Sequence, residues 1–310
     1  MRLNTLSYSG LASYFFTLLF ILFSQKYAVS QLIDNSKGKI LQSDFFFNSK
    51  AIQEKNIKTI EITFFEKKEL QGINQVHGKS IHFFLDTSGR IKKKHETSRD
   101  YYGINDTVVE WRFYKKNRLS TIKQSTDGKE LKVISIFYEE NLPSVYVLGI
   151  STNESRYKTK LQVSSYREQS AEYINHKITK NGDSLTEWSF TDKTVFKRRN
   201  IHTKDSLTRK ETFSFPLENE KYFSAEFHSI EGLLVRLNEV NSDSPDYYYT
   251  FHYRSDNELM SFSKYSVKWG SEIEVTELLY SEENGNLEAI LTKNKINNSI
   301  KIRKFNYTYF

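Results

Sequence analysis

Seven histidines, His77, His82, His95, His176, His202, His228 and His252, are the residues of this 310-residue chain best suited to metal binding or proton transfer. No two lie within four positions of one another, and no His-Glu-x-x-His motif is present. Their scatter places each on a strand face rather than in a ligand set. Cysteine is absent, which removes thiolate metal sites, disulfides and a cysteine nucleophile together. The carboxylate pairs Glu139/Glu140 and Glu282/Glu283 stand beside Asn141 and Asn284-Gly285, the company of a turn. A glycosidase would need two acids facing each other across a cleft, about 5–9.5 Å apart. Asn241, Asp243, Asp246 and Asp256 offer hard oxygens to calcium around Ser244-Pro245, without the spacing of an EF-hand loop. No nucleophile elbow, P-loop or dinucleotide fingerprint occurs. The expectation is a protein without catalytic, cofactor or metal residues.

The candidate binding residues are aromatic. Tyr247-Tyr248-Tyr249, followed by Phe251 and Tyr253, puts rings on both faces of one strand. One face must pack the core, which leaves Tyr248 opposite, with Trp269 lining the same region. Flat aromatic surface beside Lys and Asn suits a glycan or a protein partner. The alternative is that both faces are covered, as in a sandwich or a closed sheet. The formal charge is +7, and the longest basic runs, Lys92-Lys93-Lys94-His95 and Lys197-Arg198-Arg199, sit at strand ends. Nucleic acid requires a concentrated basic stripe, so it is not an expected partner.

The elements that must hold these residues have a period of two. Ile60, Ile62 and Phe64 alternate with Glu61 and Thr63, Trp111 and Phe113 with Glu110 and Arg112, and Trp188 and Phe190 follow Glu187 and Ser189. Such alternation predicts half-buried strands, and 23 Phe with 20 Tyr favour the same structure. After residue 30 no amphipathic helix longer than two turns is expected. Ser88-Gly89, Asp127-Gly128, Asn181-Gly182 and Asn284-Gly285 supply hairpin turns. Pro143, Pro216 and Pro245 are expected in connections, where a missing N–H breaks no ladder. A strand-turn-strand unit recurs through these segments, anchored at Phe84, Tyr114, Tyr138, Tyr166, Phe190, Phe215, Tyr253, Tyr280 and Tyr307. Repetition at this interval predicts units that stack on their neighbours. The expected fold is all-β, an antiparallel meander of repeated hairpins forming a long curled sheet or a β-solenoid-like array over residues 57–310, in one domain. The segment 241–246 is the best candidate for an insertion or a subdomain seam.

The string Phe84-Leu85-Asp86-Thr87-Ser88-Gly89-Arg90-Ile91 resembles the YD repeat of RHS-type proteins, whose core runs aromatic-Asp-x-x-Gly-Arg-aliphatic. The remaining copies resemble the short exported repeat proteins of Gram-negative bacteria related to that family. They depart from the pattern: Lys115 follows Tyr114, Glu139 follows Tyr138, and Ser281 follows Tyr280. What the resemblance implies is a set of β-hairpins pairing edge to edge into a curled sheet.

Residues 1–30 read as a signal peptide, with Arg2 as the positive region, 11–23 as the apolar region and Ala28-Val29-Ser30 as the cleavage pattern. The apolar run falls short of the roughly 20 residues that span a bilayer as a helix, so no transmembrane helix is expected in the mature chain. Residues 31–56 read as an N-terminal lead-in. The expected protein is therefore exported, to the periplasm, cell surface or medium, and is a non-catalytic binding or structural module of the bacterial envelope. Its partner would be an envelope protein or a glycan. The alternatives are an outer-membrane β-barrel and a curved-sheet lipid carrier or enzyme with a pocket assembled by the fold. The last strand, 301–310, is expected to pair with an edge of the same sheet or with another chain.

Overall fold

The computed structural model describes the chain from residue 31 onward, apart from 36–37, 43, 100–104, 140–141, 174, 182–183, 192–193, 204–207, 216–220, 231–232 and 242–243. Of the described residues between 172 and 232, and of 105, 142, 239–241 and 244–246, the backbone alone is described. Two short helices, α1 (Lys39–Gln42) and α2 (Ser49–Glu54), precede the strands. The first run of strands is β1 (Ile57–Lys67), β2 (Asn74–Leu85), β3 (Ile91–Arg99), β4 (Asn105–Lys115), β5 (Arg118–Ser125), β6 (Glu130–Glu139), β7 (Leu142–Asn153) and β8 (Val163–Tyr173). Next come β9 (Asn175–Asn181), β10 (Ser184–Thr191), β11 (Thr194–Thr203), β12 (Thr208–Phe215), β13 (Lys221–Ile230) and β14 (Leu233–Asn241). The series closes with β15 (Ser244–Tyr253), β16 (Leu259–Ser266), β17 (Ser271–Tyr280), β18 (Leu287–Asn294) and β19 (Ile300–Tyr309).

All are antiparallel members of one 19-stranded sheet. Each pairs with its successor from β1 to β8 and again from β9 to β19. The last strand pairs with the first, Ile62 opposite Phe305 and Ile60 opposite Tyr307. The sheet therefore runs β9 through β19, then β1 through β8. Among the described residues no pairing joins β8 to β9, and the sheet is open there. Because one residue separates these two edge strands, their adjoining ends lie within about 7.6 Å of each other. A sheet whose edges meet in this way must curl back on itself. The C-terminal strand is thus internal, and the free edges fall in mid-chain.

The face inside the curl carries the core, and the lead-in fills it. Phe46, Phe47 and Ile52 are fully buried and Leu32, Ile33 and Ala51 nearly so. They pack with Ile60 and Ile62 of β1, Ile81 and Phe83 of β2, Leu237 of β14, Phe251 of β15, Leu278 of β17, Ile290 of β18 and Phe305 of β19. Phe45 lies 5.0 Å from the Phe83 ring, and Phe47 meets Phe305 edge-on at 5.8 Å. α2 is seeded by its N-cap, the Asn48 side chain accepting the Lys50 N–H at 3.0 Å. Sequence reading treats residues 31–56 only as an approach to the repeats; it is the repeats that close around them. A second cluster lies on the outer face, where Val109, Trp111, Leu131 and Val133 are buried with Leu161 against them.

The repeat has a definite physical basis. Four hairpins carry a β-bulge immediately before the anchor, at Phe113/Tyr114, Phe137/Tyr138, His252/Tyr253 and Leu279/Tyr280. A bulge adds one unpaired residue and re-aims the side chain that follows. The tyrosine hydroxyl then donates to a carbonyl of the preceding hairpin: Tyr114 to Ile91 at 2.9 Å, Tyr138 to Leu119 at 2.8 Å, Tyr253 to Leu234 at 2.8 Å, Tyr280 to Leu259 at 2.7 Å and Tyr307 to Leu287 at 2.6 Å. In every case the ladder between the two strands stops two residues short of that carbonyl, at Lys93, Thr121, Arg236, Ser261 and Ala289. The hydroxyl satisfies a carbonyl that the sheet leaves without a strand partner. Replacing Tyr307 by Phe should cost about 1–3 kcal/mol, the penalty of stranding a buried acceptor. Urea denaturation of Tyr307→Phe beside Tyr157→Phe, where Tyr157 is exposed, checks this; equal midpoints would remove the ladder from the stability account.

Two anchors and two prolines differ from expectation. Register sets Leu85, opposite Ile91 after the Phe84/Leu85 bulge, where later repeats carry tyrosine, and Phe84 faces outward. Tyr166 is not an anchor: it sits in mid-strand beside Gly149, where a Cβ would come within 2.5 Å of its ring. Both misreadings follow from period two, since a single bulge exchanges the faces of all residues beyond it. Pro143 and Pro245 lie inside β7 and β15, each the second residue of its strand and next to a bulge. There a missing N–H is tolerated as well as in a loop. Gly182, Pro216 and Asp243 fall outside the described residues; Phe190, Phe215, Asn241 and Asp246 are described by backbone alone, as strand residues of β10, β12, β14 and β15. Asp256 caps its own turn, accepting the Glu258 N–H at 3.1 Å.

Candidate functional site

A recess on the inner face lies where the lead-in stops covering the sheet. Phe83 of β2 pairs with Lys94 of β3, and Lys94 pairs with Glu110 of β4, so Arg112, of the same parity, also faces inward. The lead-in adds Lys39, Asp44, Phe45 and Ser49, the β2–β3 turn Ser88 and Arg90, and the β4–β5 turn Asn117. Together with Tyr114 these enclose a cavity of about 570 Å³ that opens to solvent.

The turn that forms one wall is locked by its own sequence. Asp86 Oδ1 accepts the N–H groups of Ser88 (2.9 Å) and Arg90 (3.0 Å), and Oδ2 accepts from the Arg90 guanidinium at 2.8 and 2.6 Å. Burial works against the Asp86 carboxylate, yet the Arg90 and Ser88 hydrogen bonds outweigh it and hold its pKa below the ordinary range. Arg90 also donates to Asn117 at 3.1 Å and stacks 4.6 Å over the Tyr114 ring. Gly89, at φ +72°, presses against α2 where a Cβ would come within 2.0 Å of the Ser49 carbonyl oxygen. Arg112 pairs with Glu110 at 2.5 Å, Lys94 with Glu96 at 2.6 Å and Lys39 with Asp34 at 3.4 Å. Burial raises the Tyr114 pKa, so the phenol stays neutral and is a hydrogen-bonding group rather than a base.

The opposite flank of the lead-in is fastened by Glu258, whose Oε2 accepts the Leu32 N–H at 3.3 Å. Burial pushes the Glu258 carboxyl up against the opposing pull of that amide and of Arg254. Asn35 donates to the Tyr253 hydroxyl at 3.3 Å, and Lys55 donates to the Asn284 carbonyl at 2.6 Å.

Tyr248 faces outward, as its neighbours Tyr249 and Phe251 are buried on the inner side. Its ring stacks on Tyr265 at 4.8 Å and 3°, with the Arg236 guanidinium 4.4 Å over it. Trp269 is exposed at the tip of the β16–β17 hairpin, its N–H 3.4 Å from Ser266 Oγ. Cross-strand stacking thus occupies one face of the Tyr248 ring. The cavity residues escaped sequence reading because they come from the lead-in and two turns; the one available signal was the Asp86-x-x-Gly89-Arg90 turn.

His95 is on the outer face, 5.0 Å from the Phe84 ring. Burial, then the charges of Lys93 and His82, press its pKa down to about 4. A base depressed in the fold gives stability that is present above its unfolded value, about 6.5, and lost as pH falls toward 4. His95→Gln should therefore lessen the loss of melting temperature between pH 6.5 and 4. An unchanged slope would assign the acid sensitivity elsewhere.

These features define an all-β protein, a curled antiparallel sheet plugged by its own N-terminal segment. No family model matches the chain. Ookinete maturation protein 1 of Plasmodium berghei (strain Anka) is 23% identical over 209 residues, 67% of this chain and 18% of that protein. The chain thus spans less than a fifth of that relative. Among solved structures, a porin-like protein from Bacteroides uniformis aligns over 81% of this chain and 98% of its own at 9% identity and TM-score 0.37. A DUF1329 family protein from Desulfovibrio piger aligns over 90% and 94% at 8% identity and TM-score 0.26. A LolA superfamily protein from Nitrosomonas europaea aligns over 83% and 91% at 7% identity and TM-score 0.21. Likenesses at these scores carry no functional argument.

Proposed function

We propose that this chain is an exported, non-catalytic binding module of the bacterial envelope, built from YD-like hairpins. The observation that carries the reading is the 570 Å³ inner-face cavity, whose size falls in the range of ligand pockets, about 300–1,000 Å³. Its walls are held in place by the lead-in and by the Asp86–Arg90 turn. The locked Asp-x-x-Gly-Arg turn and the tyrosine ladder support the YD-like reading, and the apolar segment 11–23 supports export.

The barrel alternative requires an apolar outer band against lipid. The outer face here carries Glu61, His82, Lys93, Lys123, Glu277 and Lys304 beside one small apolar cluster around Trp111, while the larger core lines the inside. That polarity suits water outside and a core within. The test is fractionation of native cells with an antibody to residues 31–310. The expected result is a soluble periplasmic or released protein. An alkali-resistant, heat-modifiable membrane species would replace this reading with the barrel.

A further inference from the structure

We infer that the inner-face cavity takes an anionic, polyhydroxylated ligand, an oligosaccharide bearing carboxylate or sulfate groups. The inference rests on the binding-module reading and names the ligand class of that same cavity. Lys39, Arg90, Lys94 and Arg112 all line the cavity, against Asp44 as the sole lining carboxylate. The acids that pair with these cations, Asp34, Asp86, Glu96 and Glu110, are not among the lining residues. Cations therefore outnumber carboxylates on the cavity wall by four to one, and each is already held by an acid that is not itself a lining residue.

The same ion pairs fix the cations in position. Arg90 is held by Asp86 and Asn117, and Arg112, also a lining residue, uses its Nε on Glu110 and hydrogen-bonds the Tyr114 side chain. Guanidinium groups held by one carboxylate can present their remaining edge to a planar anion without further ordering cost. Ser49, Ser88, Asn117 and the neutral Tyr114 phenol add uncharged hydrogen-bonding groups on the same wall. That mixture matches a ligand carrying hydroxyl groups along with its charge, and a bare inorganic anion would leave most of it unused.

The test is calorimetric titration of the chain from residue 31 with three probes: tetragalacturonate, its fully methyl-esterified counterpart and a sulfated heparin tetrasaccharide. Binding of either acidic probe, weakened about tenfold or more by Arg112→Gln and by added salt, with no binding of the ester, is the expected result. A preference between carboxylate and sulfate identifies the anionic group. Ser88→Trp fills the cavity mouth without removing charge and should block the same probe, which separates lost binding from lost folding in the arginine variant. Equal binding of acid and ester, blocked by Ser88→Trp, would overturn the anionic assignment and leave the cavity a binding site. Acidic binding that neither variant alters would move the ligand elsewhere and overturn the inference. Failure of all three probes to bind a folded chain would overturn it too, and the reading of the protein as an exported module would then rest on fractionation.

Discussion

Phe47→Ala is expected to lower stability by about 3–5 kcal/mol, the cost of deleting a fully buried aromatic side chain. Phe47 is 0% exposed and touches Phe45, Phe46, Phe305 and Tyr307. Its loss opens a void where β19 meets β1, the join that makes the first and last strands neighbours. Neither strand can collapse inward to fill it without breaking a ladder on its other side, so relaxation is limited. Urea denaturation beside Phe137→Ala, whose ring is 54% exposed, provides the comparison. A Phe47→Ala midpoint close to that of Phe137→Ala would mean that the lead-in contributes little and that the sheet stands without it.

Gly89→Ala carries the second large effect, above about 2 kcal/mol. A left-handed conformation costs a residue with a Cβ roughly 1–2 kcal/mol, and here the new methyl also meets backbone, the Ser49 carbonyl oxygen at 2.0 Å and the Gln53 nitrogen at 3.2 Å. Backbone at the start of a helix cannot swing aside as a long side chain would. The turn must lift away from α2, carrying Ser88 and Arg90 out of the cavity wall. Gly270 is the internal control, at φ +60° with nothing within 4 Å of its Cβ position. Gly270→Ala should show the conformational cost alone, and the excess at Gly89 measures the contact. Equal costs at the two positions would show that the turn is not seated on the helix.

Much of this architecture was legible in the chain. Alternation in Ile60-Glu61-Ile62 marks β1 and its buried face, and Ser88-Gly89, Asp127-Gly128 and Asn284-Gly285 mark turns with positive-φ glycines. The recurring aromatic marked a repeat before any hydrogen bond could be assigned to it. The faces of Phe84 and Leu85, and the place of Tyr166, were not legible. Each depends on a bulge, and a bulge is decided by how two strands pair, which alternation along one strand does not encode.

The sequence by itself determined an all-β, cysteine-free chain of repeated hairpins, since strand periodicity, turn chemistry and composition are local properties. Tertiary structure alone decided that β19 joins β1, that residues 31–56 become the core and that the open edges fall between β8 and β9. It also gathered Lys39, Arg90, Lys94 and Arg112 around one cavity. Each of these joins residues far apart in the chain. Such contacts form where apolar surface is removed from water most completely, and that depends on the whole folded shape.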